Sequence, residues 1–128
     1  MRINKNTDYG LIFLKRLVQA FSKKEYLSVS QIASIDHIPE QYLKKIAGQL
    51  KKAKLIKARE GKSGGYILTK PPEKITLDKV MLALEGSLDL SPCACCSQSA
   101  GACGFSNFWE EVGSDWQTYF KNIKLSDI

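Results

Sequence analysis

Apolar residues recur every three to four positions through most of the chain, and the places where that rhythm breaks divide it into elements. Leu11, Leu14, Val18 and Phe21 share one helical stripe with Leu17 beside it, which predicts a first helix over Gly10 to Phe21 with Thr7 or Asp8 as its N-cap. Ser28 to Gln31 reads S-x-x-Q, the spacing in which a hydroxyl and a carboxamide satisfy each other's backbone donors; Ile32, Ala33 and Ile35 then supply the apolar face of a second, short helix. Pro39 suits the first position of a third helix, where a missing N–H is no loss, and Leu43, Ile46, Ala47 and Leu50 form its inner stripe. Asp36-His37-Ile38 is the break between these two helices.

Leu55 to Arg59 and Tyr66 to Lys70 read as short strands joined by Glu60-Gly61-Lys62-Ser63-Gly64-Gly65, whose glycines permit the positive φ angles of a tight hairpin tip. Pro71-Pro72 cannot donate to a sheet ladder and closes the hairpin. Thr76 caps a fourth helix with Leu77, Val80, Met81 and Leu84 on one face, and Gly86 stands where a left-handed residue would end it. Residues 91–104, SPCACCSQSAGACG, are small and irregular and hold all four cysteines. From Phe105 the apolar positions 105, 109, 112, 116, 119 and 123 repeat at about 3.5 residues, with Phe108 and Phe120 widening the stripe.

Two helices separated by about four residues and followed by a hairpin form a winged helix-turn-helix. The expected fold is therefore mainly α with a small β-hairpin wing, extended by a long C-terminal dimerisation helix. Its divisions are a winged domain over 1–72, a connecting helix over 73–90, a cysteine loop over 91–104, and a dimerisation helix with its tail over 105–128. Phe105, Trp109, Val112, Trp116, Tyr119 and Ile123 make the expected seam, because one small domain has little core left to cover so much aromatic surface and a second copy could cover it.

Charge adds a partner to this picture. The formal charge is +6, but residues 1–70 carry 15 Lys/Arg against 5 Asp/Glu, and residues 71–128 carry 4 against 8. Nine of those bases and only two acids fall in residues 39–70, where the third helix and the hairpin lie. A polyanion is the natural partner, and double-stranded DNA suits the fold. At 128 residues with 44% hydrophobic and 25% charged composition, the chain can bury a core without disulfides. It shows no secretory signal and no membrane-length apolar run, so no membrane partner is expected, and a reducing cytoplasm with free or metal-bound thiols is. No Ser/His/Asp set, no P-loop spacing and no paired carboxylates point to an enzyme.

Four cysteines within eleven residues, without apolar periodicity to bury them, suit soft or borderline metals. An iron-sulfur cluster is the first expectation. Zinc is less favoured, because C-x-C-C-x6-C lacks two separated ligand pairs; a metal-free thiol sensor remains a third reading. The expected duplex contacts are Gln41, Tyr42, Lys44 and Lys45 on the first turns of the third helix, Arg59, Lys62, Ser63 and Gly64 on the wing, and Ser28 and Ser30 as phosphate donors. Gln pairs bidentately with adenine and Lys with guanine. Tyr66 is expected to point into the core from the returning strand.

The runs N-T-D-Y-G-L at 6–11, S-V-S-Q-I-A at 28–33, Y-L-K-K-I at 42–46, R-E-G-K-S-G-G-Y-I-L at 59–68 and L-E-G-S-L-D-L at 84–90 together resemble the Rrf-type (IscR- and NsrR-like) family of bacterial winged-helix regulators over roughly residues 1–120. The resemblance implies a homodimeric transcription factor acting as a repressor, with the third helix in the major groove, the wing on phosphate or minor groove, and the last helix building the dimer. It also implies a cluster held by three of Cys93, Cys95, Cys96 and Cys103, whose gain, loss, oxidation or nitrosylation changes DNA affinity. Which of Cys95 and Cys96 is the middle ligand stays open. Asp8 matches an acidic residue that ligates the cluster across the dimer in NsrR-like members, and an N-terminal helix charge is its plainer role. The sequence departs from the family at Lys54, where A-G-L is usual and a left-handed residue is expected, and in lacking the histidine that often follows the last cysteine. The alternative from a different class is an iron-sulfur or zinc carrier that does not bind DNA.

Overall fold

The computed structural model describes residues 5–62, 64–86 and 106–128. Helices α1 (Lys5–Phe21), α2 (Val29–Asp36) and α3 (Glu40–Lys52) precede the antiparallel hairpin of β1 (Ile56–Arg59) and β2 (Gly65–Leu68), and α4 (Leu77–Glu85) and α5 (Ser106–Asn122) follow it. This is the expected class: helices with one two-stranded wing. Phe13, Leu14 and Leu17 of α1 meet Ile32, Leu43, Ile46, Leu50, Ile56, Leu68 and Val80 in a single core that the C-terminal Leu125 also enters.

Local chemistry sets most of the boundaries. At α2 the capping box forms in both directions, Gln31 N–H donating to Ser28 Oγ at 3.1 Å and Ser28 N–H to Gln31 Oε1 at 2.9 Å. His37 ends that helix in the left-handed region at φ 55°. Pro39 sits one residue earlier than expected, as the N-cap of α3, with its carbonyl accepting from the N–H groups of Tyr42 and Leu43. Lys54 adopts φ 62°, the left-handed turn that brings Leu55 N–H back to Leu50 O at 3.1 Å and launches β1. Gly86 ends α4 at φ 80°.

The first helix departs from expectation. It begins by Lys5, so Thr7 and Asp8 lie in its first turn and neither caps it. Thr7 is fully buried, and its hydroxyl donates to the Glu85 carboxylate at the end of α4. Gly10 packs so closely on Leu84 that an added Cβ would stand 2.5 Å from its side chain. Past α5 the tail runs back along the start of α4, with Leu77 N–H donating to Ile123 O and Leu125 N–H to Ile75 O, both at 2.8 Å.

Arg16 of α1 grips the Asp36 carboxylate at the end of α2 with two bonds of 3.0 and 2.8 Å. Hydrogen bonds from Arg16 hold the Asp36 carboxyl below its ordinary value against the opposite push of burial. A depressed carboxylate contributes stability above the unfolded-state value and loses it as pH falls through the folded one. The stability gap between wild type and Asp36→Asn should therefore be full at neutral pH and close in acid, below the usual carboxylate range, in chemical denaturation at stepped pH.

Candidate nucleic-acid interface

The outer side of α3 is bare. Gln41, Lys44, Lys45, Lys51 and Lys52 are exposed there, while Leu43, Ile46, Ala47 and Leu50 seal the opposite side. Tyr42 is half-buried, its ring edge-on to Tyr9 of α1 at 5.2 Å, so it braces α3 against α1 as well as lying on its first turn. Glu40 accepts the Ser30 hydroxyl at 2.9 Å and lies 3.6 Å from the Lys44 ammonium. An exposed pair of this kind contributes little, so Lys44 is free to exchange Glu40 for another anion. Ser28 keeps its cap and faces the wing.

The wing is fixed by close backbone approach. Arg59 pairs with Gly65 next to the turn of the hairpin, and Leu27 and Tyr66 exchange N–H···O bonds of 3.1 and 2.7 Å that dock the residues before α2 onto β2. Gly65 has φ 149°, and a Cβ there would lie 2.5 Å from the Leu27 carbonyl. Gly65→Ala should therefore cost about 1–3 kcal/mol of stability by strain alone, read as a lowered midpoint in thermal denaturation. Tyr66 is half-buried with its ring against Phe13 at 6.0 Å, on the core side as expected. Arg59, Gly61, Lys62 and Gly64 form one wall of a groove of about 630 Å³ whose other wall is Lys24, Tyr26, Ser28 and Gln31, with Glu25 beside them. The sequence reading missed Lys24, Tyr26 and Gln31 as members of this surface: the first two lie between helices, outside any periodic pattern, and Gln31 read only as a cap. Ser63 lies outside the described residues.

On α5, Phe108, Trp109, Trp116 and Tyr119 are exposed and Val112 is half-buried, whereas Phe120 is buried. Ile123 follows the end of the helix, half-buried, in the segment paired with α4. Phe105 and the cysteines Cys93, Cys95, Cys96 and Cys103 lie outside the described residues. Asp8 is exposed on the first turn of α1. Its neighbour Asn6 donates to Leu84 O at 2.9 Å and to Gln49 Oε1 of α3 at 3.2 Å, a junction of three helices that periodicity could not reveal. Among the described residues no group of His, Cys, Asp and Glu could hold a metal ion, and no helix is long and apolar enough to cross a membrane.

A helix-turn-helix with a bare polar helix beside a glycine-tipped basic hairpin defines a winged-helix DNA-binding regulator. Comparison with known proteins narrows the class: residues 3–128 match the Rrf2 family, described as iron-dependent transcriptional regulators, and the chain belongs to that family. NsrR of Halalkalibacterium halodurans is 37% identical over 73% of this chain and 63% of its own length. Among solved structures, T. potens IscR has a TM-score of 0.79 at 27% identity, covering 99% of this chain and 85% of that one. CymR of B. subtilis, described as its global cysteine regulator, has a TM-score of 0.81 at 23% identity, covering 99% and 95%, and attests the fold. The relatives are transcriptional regulators, a non-enzymatic class, in keeping with the missing catalytic constellation.

Proposed function

We propose that this regulator binds operator DNA as a homodimer and that an iron-sulfur cluster on the cysteine segment sets its affinity. Cys93, Cys103 and one of Cys95 or Cys96 would hold the cluster, with Asp8 as a candidate fourth ligand. The donor chemistry fits: closely spaced thiolates favour iron-sulfur over hard cations, and a carboxylate oxygen is a weaker, more exchangeable ligand. Such a cluster would supply a redox- and nitric oxide-sensitive group. The observation that carries the regulatory part is the junction at the end of α4, the helix from which the cysteine segment departs. There Glu85 accepts the Thr7 hydroxyl, Leu84 O accepts from Asn6, and Asn6 also donates to Gln49 of α3. A displacement of the end of α4 is thus passed by hydrogen bonds to the turn bearing Asp8 and to the helix bearing Gln41, Lys44 and Lys45.

In this reading α3 enters the major groove with Gln41, Lys44 and Lys45 toward base edges, the wing lies on the backbone, and the exposed face of α5 meets a second copy; the protein works in the cytoplasm. Anaerobic purification followed by absorption spectroscopy and iron and sulfide assays tests the cofactor, and operator binding by the loaded and metal-free forms tests the control. Equal affinity of the two forms would refute cluster control. A metal-free thiol regulator is the second reading, favoured by 31% identity over 69% of this chain to CymR of Bacillus subtilis, which is described as a cysteine regulator. It predicts no iron or sulfide and a DNA affinity that follows the count of free thiols, and zinc found instead would point to a structural site.

A further inference from the structure

The groove between the end of α1 and the wing holds a contact that the DNA-binding reading does not require. The Arg59 guanidinium carbon lies 5.5 Å from the centre of the Tyr26 ring. Both residues are set by backbone rather than by chance side-chain packing. Tyr26 immediately precedes Leu27, which is bonded to Tyr66 of β2 in both directions, and Arg59 is the last residue of β1, paired with Gly65. Among the described residues Arg59 makes no ion pair, although Glu25 lines the same groove, so none of these residues neutralises its positive charge by direct pairing. Lys24, held in a left-handed turn at φ 55°, and Lys62 line the groove with it.

An exposed arginine loses several rotatable bonds' worth of freedom when it binds a phosphate, and a ring that already holds the guanidinium reduces that loss. A planar guanidinium resting on an aromatic face still presents its N–H edge outward. We propose that Tyr26 is a positioning residue for duplex binding: it holds Arg59 aimed into the groove so that Arg59, flanked by Lys24 and Lys62, meets a backbone phosphate of the operator. The proposal rests on the wing reaching the duplex and adds to it a residue that touches no DNA itself. Tyr26 contributes through its ring face, so its hydroxyl is dispensable.

The test is fluorescence anisotropy with a labelled operator duplex, selected by the wild-type protein from random-sequence DNA and titrated at a series of salt concentrations. Arg59→Ala should weaken binding and reduce the slope of log affinity against log salt by about 0.9 for each phosphate that it no longer neutralises. Tyr26→Leu should weaken binding roughly two- to five-fold with the salt slope unchanged, because the charge remains while its aim is lost. Tyr26→Phe should bind as wild type, and Tyr26→Leu placed in Arg59→Ala should cost nothing further. An equal loss from Tyr26→Leu in both backgrounds, or a Tyr26→Phe as weak as Tyr26→Leu, overturns the positioning role. Wild-type binding by Tyr26→Leu while Arg59→Ala is impaired overturns that role alone; wild-type binding by Arg59→Ala overturns the wing contact as well.

Discussion

Trp116→Glu is expected to leave the winged helix folded and to turn the protein into a monomer. Phe108 and Tyr119 are more than half exposed, at 53% and 58%, and Trp109 and Trp116 about a third, at 36% and 37%. At 3.6 residues per turn these four and Val112 fall within a stripe on the order of 100° wide, the width of a buried helix face rather than a solvated one. The stripe is organised: Trp116 stacks on Tyr119 with ring centres 6.1 Å apart and lies edge-on to Phe120 at 4.8 Å. Phe120 is buried within its own chain, so the outward rings stand on an anchored base. Two-fold pairing would bury each substitution twice. With about 2 kcal/mol or more for each central aromatic, the dimer should weaken on the order of a thousand-fold. Sedimentation velocity at micromolar concentration reads the outcome directly, with circular dichroism as the check on folding. A folded variant that sediments like wild type would remove α5 from the interface.

At the cysteine segment, Cys93→Ala combined with Cys103→Ala should abolish iron and sulfide incorporation and the visible absorption, because one remaining vicinal pair cannot supply three thiolates. Of the single variants, either Cys95→Ala or Cys96→Ala should keep the cluster. Asp8→Ala separates the two roles of that carboxylate. As a ligand, its loss leaves a cluster that bleaches faster in air; as a charge on the first turn of α1, its loss costs about 0.3–1 kcal/mol of stability and leaves the spectrum unchanged. Full incorporation of iron and sulfide in the double variant would falsify the assignment.

Much of the architecture is legible residue by residue, and the legible parts share a cause: each is settled by interactions within a few positions. The Ser28–Gln31 capping box, the Gly86 terminus and the inner stripe of α3 appear in the structure as their local chemistry demands, whereas the left-handed Lys54 that opens the wing is what the family resemblance implies. The bare outer face of α3 follows from the same stripe, since a helix that buries Leu43, Ile46, Ala47 and Leu50 must present Gln41, Lys44 and Lys45 outward.

What the tertiary structure decided are the pairings between residues far apart in the chain. Thr7 has the chemistry of a cap, yet it is buried, because the carboxylate of Glu85 arrives from α4 and satisfies its hydroxyl there. Asn6 looks like a polar residue at a frayed terminus and instead joins α4 to α3. Ile123 continues the spacing of the aromatic seam, but its carbonyl is claimed by Leu77 and the helix stops at Asn122. Tyr26 and Arg59 lie 33 positions apart and meet only because Leu27 docks on β2. Periodicity and capping act over a turn or two of chain and are written in the sequence, whereas a hydrogen bond or ring contact between distant segments depends on where packing leaves both ends.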